Sequence, residues 1–315
     1  MNTAADPTKQ PANKSVAATP PPFRITRMRA EHRFIKCIFY GAFGSGKTSL
    51  AASAVDVPEM NDVLMVDAES GTMSVTDAPH IKDRDLIDTV RVTDFKTVAY
   101  VQEFLKAHCI ARDSLDLSRL KALQARLWGY DISVIDENHV GTDIVEIING
   151  QEVTKKARLR KYRTAIIDSL TEIDTFSMYQ LLNIQTDMKL DKDMDVAQFA
   201  EFRKNNQMMQ LLVRAYRDLP MNVLIVCSSQ YTQDELKRMH WTPALTGKLS
   251  NQVQGFVDVC GFISTGKPAE GDKTIPRRLF IQPIGNFDAK NRIASFKDPY
   301  IDNPSMKDIM GAFRK

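Results

Sequence analysis

The sequence predicts an α/β protein in which a mostly parallel central sheet is covered by helices on both faces. The predicted strands are short, continuous runs of β-branched and other apolar residues, which is typical of strands buried on both faces. Segments with a helical spacing of apolar residues separate these runs, as in βαβ units. A glycine-rich loop joins the first strand to the first helix.

Four strands are predicted in the body of the chain, each from an apolar run: 34–40, 63–67, 164–168 and 222–228. A helix is predicted to follow the first strand, from Lys47 to Ala54. Before the fourth strand, apolar residues recur at helical spacing from Phe199 to Tyr216, and Pro220 follows the end of that helix. Segments 256–263 and 278–282 are strand-like and are predicted to extend the core as a C-terminal β extension.

Two regions fit this alternation less well. Residues 111–161 contain a predicted helix at 117–128 and a predicted hairpin at 145–153 on an Asn149-Gly150 turn, and we expect an insertion at the edge of the core. Residues 1–22 are rich in Ala, Pro, Thr and Asn and are expected to be a disordered tail. The main domain is therefore predicted to span residues 23–292, with 293–315 as a C-terminal extension.

The composition narrows the classes of function. The net charge of +3 on 315 residues argues neither for nor against a nucleic-acid partner. The four cysteines are far apart and form no CxxC pair, which favours reduced thiols and a cytoplasmic protein. No apolar run approaches the roughly 20 residues that span a bilayer, so no membrane partner is expected.

The glycine-rich loop, Gly41-Ala-Phe-Gly-Ser-Gly-Lys-Thr48, matches the pattern GxxxxGK[ST] between a predicted strand and a predicted helix. Its glycines let successive backbone N–H groups point inward around phosphate oxygens. Lys47 is predicted to reach the β- and γ-phosphates of ATP, and the Thr48 hydroxyl to bind Mg²⁺. The predicted nucleotide contacts are Gly41, Gly44, Ser45, Gly46, Lys47, Thr48 and Ser49.

Three further residues lie at the ends of predicted strands. Asp168 ends the strand 164–168, where a carboxylate can hold Mg²⁺ beside the loop. Glu69, in Asp67-Ala-Glu69, is either a group that orients and deprotonates the attacking water or an exposed loop carboxylate. Gln230, in Cys227-Ser-Ser-Gln230, is either a contact of the γ-phosphate or a polar residue that ends a strand.

Together these motifs resemble the RecA-type ATPase core, whose order is a P-loop, then strands ending in Asp-Ala-Glu, Asp-Ser and Gln. The likeness extends over residues 34–230 and implies that Glu69 activates the water and that Gln230 senses the nucleotide for a DNA-binding loop. More specifically, the chain resembles phage-encoded, Sak-type single-strand annealing and recombination ATPases over most of 34–292. The segments that carry this likeness are Tyr40–Thr48, Ile166–Glu172, Leu212–Met221, Pro243–Leu249 and the Phe256-Val-Asp-Val segment. The long 111–161 insertion and the N-terminal tail depart from that pattern.

The resemblance implies single-stranded DNA as a partner, held by a loop at residues 231–252. Its candidate contacts combine cations with an aromatic ring: Lys237, Arg238, Trp241 and Lys248. Asp234 and Glu235 weaken the charge argument, and a solvated linker with one packed tryptophan is the alternative. The densest basic run, 155–163, precedes the strand of Asp168, so we expect it at the opposite end of the sheet as a solvated basic face.

The resemblance also implies self-association into a filament or ring, because RecA-like ATPases commonly complete each site with a cation from the next subunit. The candidate cations are Arg277, Arg278, Lys290 and Arg292. A single-strand-binding protein is a further expected partner. Two alternatives stay open: a nucleotide-gated module that assembles on DNA or protein with little turnover, and a DNA motor or helicase, although no additional helicase motif is present.

Overall fold

A computed structural model describes residues 34–76, 78–128, 142–148, 151–157, 159–184, 197–233, 237, 239–268 and 275–314. These residues belong to one compact unit that runs from Phe34 to Lys315. Several parts of the sequence analysis lie outside the described residues: the tail 1–22, the Asn149-Gly150 turn, Asp234, Glu235 and Arg238.

The secondary structure alternates strands and helices through most of the unit. The strands are β1 (Lys36–Gly41), β2 (Val63–Asp67), β3 (Ile87–Arg91), β4 (Thr142–Ile148), β5 (Gln151–Ala157), β6 (Thr164–Asp168), β7 (Asn222–Gln233), β8 (Met239–Pro243), β9 (Val259–Thr265), β10 (Arg277–Phe280), β11 (Lys290–Asn291) and β12 (Tyr300–Asp302). The α-helices are α1 (Lys47–Ala52), α2 (Met73–Thr76), α3 (Phe95–Asp113), α4 (Leu117–Trp128), α5 (Leu170–Leu181), α6 (Phe199–Arg217), α7 (Leu249–Phe256) and α8 (Met306–Phe313). Short 3-10 helices occupy Ser53–Asp56, Pro58–Met60 and Arg84–Leu86.

The main sheet has the strand order β12-β10-β9-β1-β7-β6-β2-β3. The strands from β9 to β3 are parallel neighbours, whereas β10 and β12 continue the sheet in antiparallel fashion. The continuous apolar runs of β1, β2 and β6 are buried along their whole length, as expected for strands covered on both faces. The predicted α/β architecture with a mostly parallel sheet and a C-terminal β extension is confirmed.

Helices cover both faces of the sheet, and alternate residues of β1 show this directly. Ile38 and Tyr40 belong to a core cluster with residues of α3, α5, α6 and α7, whereas Cys37 and Phe39 belong to a second cluster with residues of α1 and α8. Successive side chains of a strand point to opposite faces, so the two clusters lie on opposite sides of the sheet. All four cysteines are buried free thiols.

The region 111–161 packs partly as predicted. Helix α4 has the predicted bounds, and its Leu120 and Ala125 form a small buried cluster with Ala111 and Leu159. Strands β4 and β5 pair as an antiparallel two-stranded sheet with Ile148 opposite Gln151, which is the register of the predicted hairpin. Residue 111 itself belongs to α3, so the long helix α3 continues into this region.

One segment differs from the sequence prediction. Strand β7 continues five residues beyond Ser228, to Gln233, and pairs with β8 as an antiparallel hairpin arm. Of the predicted loop 231–252, residues 231–233 and 239–243 therefore form paired strands, and residues 249–252 begin α7. The cross-strand pair Tyr231–Trp241, with ring centroids 4.7 Å apart, stabilises this extension. Residues 293–315 contribute α8, whose Met306 and Ile309 are buried in the core.

None of the helices in the described part of the chain combines the length and hydrophobicity that crossing a bilayer requires.

Candidate nucleotide-binding site

The loop between β1 and α1 adopts a conformation that its sequence makes accessible. Gly44 and Gly46 have φ angles of +72° and +94°, in the left-handed region that glycine enters without the steric cost of a Cβ. Strand β1 ends at Gly41 and α1 begins at Lys47, so the intervening loop lies at the carboxyl edge of the parallel sheet. This edge is where α/β proteins of this type place their ligands.

Lys47 lies inside this loop rather than in solvent. Its side chain is buried, with 7% of its surface exposed, and its Nζ donates to the carbonyls of Gly41 (3.2 Å) and Ala42 (2.9 Å). Burial lowers the pKa of Lys47, while the carboxylates of Glu69 and Asp168 oppose that shift. The structure therefore brings the predicted lysine and the two predicted carboxylates into one electrostatic neighbourhood.

Asp168 is the buried carboxylate of the site. It ends β6 directly opposite Asp67 of β2, with 1% of its surface exposed, and neither carboxylate oxygen has a hydrogen-bond partner within the described part of the chain. Burial is the main cause that raises the pKa of Asp168 to about 6, and the nearby Thr48 side chain opposes this shift. A buried carboxylate without donors is costly unless a cation completes it.

Glu69 lies at the mouth of the site, on the turn after β2. The Asp67 carboxylate shapes this turn by accepting the N–H groups of Glu69 (3.2 Å) and Gly71 (3.1 Å). The Glu69 carboxylate in turn accepts a hydrogen bond from the Ser169 hydroxyl. Ser169 is buried and caps α5, so a rigid element orients Glu69. The sequence analysis includes Ser169 only as part of a motif and does not predict that it orients Glu69.

Gln230 connects the site to the segment after β8. It lies within β7 rather than at its end, and its Nε2 donates to the Leu245 carbonyl at 3.4 Å. The next residue, Thr246, is held by Asp174 of α5, whose carboxylate accepts both the N–H and the hydroxyl of Thr246 at 2.7 Å. Because α5 begins two residues after Asp168, Asp174 links this end of the site to Thr246, and Gln230 holds the neighbouring Leu245.

The candidate DNA contacts are spread over two elements. Lys237 is exposed between β7 and β8, and Trp241 lies on β8 with 36% of its surface exposed. The Trp241 ring also stacks on the Phe262 ring, with centroids 6.3 Å apart, so one side of the Trp241 ring packs within the protein. Lys248 is exposed but precedes α7, away from the hairpin in sequence. The candidate contacts therefore come from the hairpin and from the residue before α7.

The four candidate cations have different surroundings. Arg278 pairs with Asp302 at 2.6 Å and stacks on Tyr300. Lys290 donates to the Gln254 and Val257 carbonyls, and Arg292 donates to the Gly255 carbonyl. Arg277 instead lies against Gly46 of the loop in its own chain.

Residues 159–163 of the basic run enter β6 at the opposite end of the sheet from the loop, as predicted, but Arg160 is not on a solvated face. Its side chain is buried and pairs with Asp88 at 2.9 Å. Asp62, which precedes β2, lies 3.6 Å from the same guanidinium. At least this residue of the run has a structural role.

The site fits a magnesium ion that is bound together with a nucleotide. Among the described residues, no group of three or more His, Cys, Asp or Glu side chains could hold a metal by itself. Mg²⁺ in phosphate sites is held by one or two protein oxygens, with phosphate and water oxygens as its other ligands. The unpartnered oxygens of Asp168 near the Thr48 hydroxyl are suitable protein ligands for such an ion.

The loop, the buried aspartate and the parallel sheet together define a P-loop nucleotide-binding domain. The chain belongs to the AAA domain family (AAA_24), whose family model matches residues 33–293. The predicted α/β fold with a P-loop is confirmed, and its RecA-like character stays a prediction. No curated protein matches the chain.

Two solved structures illustrate the similarity of fold. The RadB recombinase is 14% identical, with 78% of this chain and 79% of that chain covered and a TM-score of 0.35. The flagellar accessory protein FlaH from Methanocaldococcus jannaschii is 9% identical, with 86% and 84% covered and a TM-score of 0.37. At these TM-scores neither likeness informs the choice of substrate or partner.

Proposed function

We propose that this protein is a Mg²⁺-dependent ATPase of the RecA type that acts on single-stranded DNA in strand annealing or exchange. The observation that carries the proposal is the convergence of Lys47, Glu69 and Asp168 beside one glycine-rich loop. A phosphate-binding loop, a buried metal-binding carboxylate and an oriented second carboxylate are the groups that ATP hydrolysis requires.

Binding of the nucleotide rests on the loop. Backbone N–H groups of residues 44–49 and the Lys47 ammonium supply donors and positive charge for the phosphates. Lys47 would exchange its present acceptors, the Gly41 and Ala42 carbonyls, for phosphate oxygens. Asp168 and Thr48 would hold Mg²⁺, which when bound neutralises charge on the phosphates.

Hydrolysis rests on Glu69. The Ser169 hydroxyl fixes one oxygen of this carboxylate, and a carboxylate has further acceptor sites that can take a proton from the attacking water. An exposed carboxylate with no fixed orientation would favour the alternative of a nucleotide-gated assembly module. The hydrogen bond to Ser169 and the proximity of Lys47 favour turnover instead.

Coupling to DNA rests on the path from Gln230 to residues 245–248. Loss of the γ-phosphate would change the contacts of Gln230. The resulting movement would pass through Leu245 and Thr246 to Lys248. Tyr231 and Trp241, both partly exposed on the hairpin, offer rings on which bases can stack. The resemblance to Sak-type ATPases supports single-stranded DNA as the ligand, assembly into a filament or ring, and a single-strand-binding protein as a partner.

The test is the rate of ATP hydrolysis with and without single-stranded DNA, at about 50 and about 200 mM salt. We expect stimulation by DNA that weakens at the higher salt concentration, because phosphate contacts release counterions. Duplex DNA serves as the control, and preferential stimulation by duplex would favour a motor. Turnover that does not respond to any DNA would overturn the DNA part of the proposal and favour a protein ligand.

A further inference from the structure

Arg277 packs on the backbone of the P-loop in its own chain. A Cβ placed on Gly46 would lie 2.6 Å from Nε, 2.8 Å from Cζ and 2.9 Å from Cδ of Arg277. Such distances are far inside van der Waals contact, so the absence of a side chain at Gly46 makes room for the arginine. Glycine at position 46 therefore serves two purposes: it adopts a φ of +94°, and it leaves space for Arg277.

The strand that carries Arg277 is anchored on both sides. The Arg277 N–H donates to the Asn303 side chain at 3.0 Å, and its carbonyl accepts the Asn303 N–H at 2.7 Å. Two residues further along β10, Leu279 is buried in the core cluster that contains α1. Residues two apart on a strand share a face, so β10 directs Arg277 towards the side of the sheet where the loop continues into α1.

One nitrogen of the Arg277 guanidinium, Nε, is buried and has no acceptor among the described residues. The adjacent Arg278 differs, because its Nε donates to Asp302 and its guanidinium stacks on Tyr300. An arginine N–H buried without an acceptor is costly, whereas a phosphate oxygen satisfies it with a strong, charge-assisted hydrogen bond.

We propose that Arg277 binds the phosphates of the nucleotide held by Lys47 of the same chain, and so acts in cis rather than on a neighbouring subunit. The inference rests on the proposed nucleotide site and adds a residue to it. Reaching the site of another copy would require Arg277 to leave Gly46, where β10 and Asn303 now hold it. The contact of Arg277 with Gly46 places the guanidinium beside the residue that precedes Lys47.

The experiment compares Arg277→Ala with Arg278→Ala, a neighbouring control with the same change in charge. Binding of a fluorescent ATP analogue and ATP turnover are measured for both variants, for the wild type and for Lys47→Ala, with melting temperatures to establish folding. We expect Arg277→Ala to weaken nucleotide affinity at least tenfold and Arg278→Ala to change it less than twofold. Arg277→Lys keeps the charge without the planar fork and should recover only part of the affinity.

Mixing two variants with different defects distinguishes action of Arg277 within its own chain from action on a neighbouring subunit. If Arg277 acts in cis, an equimolar mixture of Arg277→Ala with Lys47→Ala should show no more turnover than the sum of the two variants. If it acts in trans, mixed assemblies would pair an intact loop with an intact arginine, and recovery of turnover would overturn the inference. Wild-type affinity in the folded Arg277→Ala variant would overturn it as well. Failure of the wild type itself to bind the analogue would instead refute the proposed nucleotide site.

Discussion

Replacing Asp168 by Asn should stabilise the nucleotide-free protein. Both carboxylate oxygens are buried and find no hydrogen-bond partner among the residues that the structure describes, and burial raises the pKa of Asp168 from 3.8 to about 6. A carboxyl whose pKa is higher in the folded state destabilises that state once it ionises. This loss in the free energy of unfolding is absent below about pH 3.8, grows as the pH rises to about 6 and is constant above that value.

The size of the effect follows from the shift in pKa. Each pKa unit corresponds to about 1.4 kcal/mol, so a shift of about two units costs about 3 kcal/mol at neutral pH. A buried, unpaired amide has its own desolvation cost of about 1–2 kcal/mol, which reduces the net gain to about 1–2 kcal/mol. For a chain of this size, about 2 °C of melting temperature corresponds to each kcal/mol.

The assay is thermal unfolding of wild type and Asp168→Asn in EDTA, without nucleotide, at about pH 7.5 and about pH 4.5. We expect the variant to melt about 2–4 °C higher at the higher pH, with a smaller difference at the lower pH. Asp174→Asn is the matched control, because that buried carboxylate accepts hydrogen bonds from Asn205 and Thr246 and its loss should lower the melting temperature. An Asp168→Asn variant no more stable than wild type at pH 7.5 would refute the reasoning.

Three other predictions address the base, the aromatic hairpin and a buried histidine. Glu69→Gln should leave ATP affinity unchanged and slow turnover on the order of 100-fold, measured by single-turnover kinetics; an unchanged rate would make Glu69 a loop carboxylate. Trp241→Ala should weaken binding of single-stranded DNA by about 1–3 kcal/mol in an anisotropy titration, with Trp241→Phe close to wild type; equal affinities for all three proteins would exclude stacking there. Burial lowers the pKa of His108 from 6.5 to about 4, so the unfolded state binds the proton first and stability falls as the pH drops through this window. From pH 7 to pH 5 the loss is about 2 kcal/mol, and His108→Gln should remove that part of the dependence in urea unfolding.

The parts of the site that were predictable are those encoded locally. The glycine loop and the aspartate after β6 are short patterns attached to recognisable strands, and parallel strands bring their carboxyl ends to one edge. For the same reason, Asp67 and Asp168 come to lie opposite one another although 101 positions separate them. That both carboxylates lie at this edge was predictable without the strand order, whereas their direct opposition requires β2 and β6 to be neighbours.

The contacts that were not predictable join segments without a shared pattern. Ser169 orients Glu69, and Arg277 lies on Gly46, only because the strands are adjacent in space. The length of β7 depends on the pairing of Tyr231 with Trp241, which a search for continuous apolar runs does not detect. Strand β3 was missed for a related reason, since its residues are only partly buried at the edge of the sheet.

The most direct test of the central claim is equilibrium binding of a fluorescent ATP analogue to wild type and Lys47→Ala, each with Mg²⁺ and with EDTA. The account predicts that the wild type binds the analogue more tightly with Mg²⁺, and that Lys47→Ala loses binding while it keeps its fold by circular dichroism. Equal binding by the two folded proteins would contradict the assignment of the loop around Lys47 as the nucleotide site.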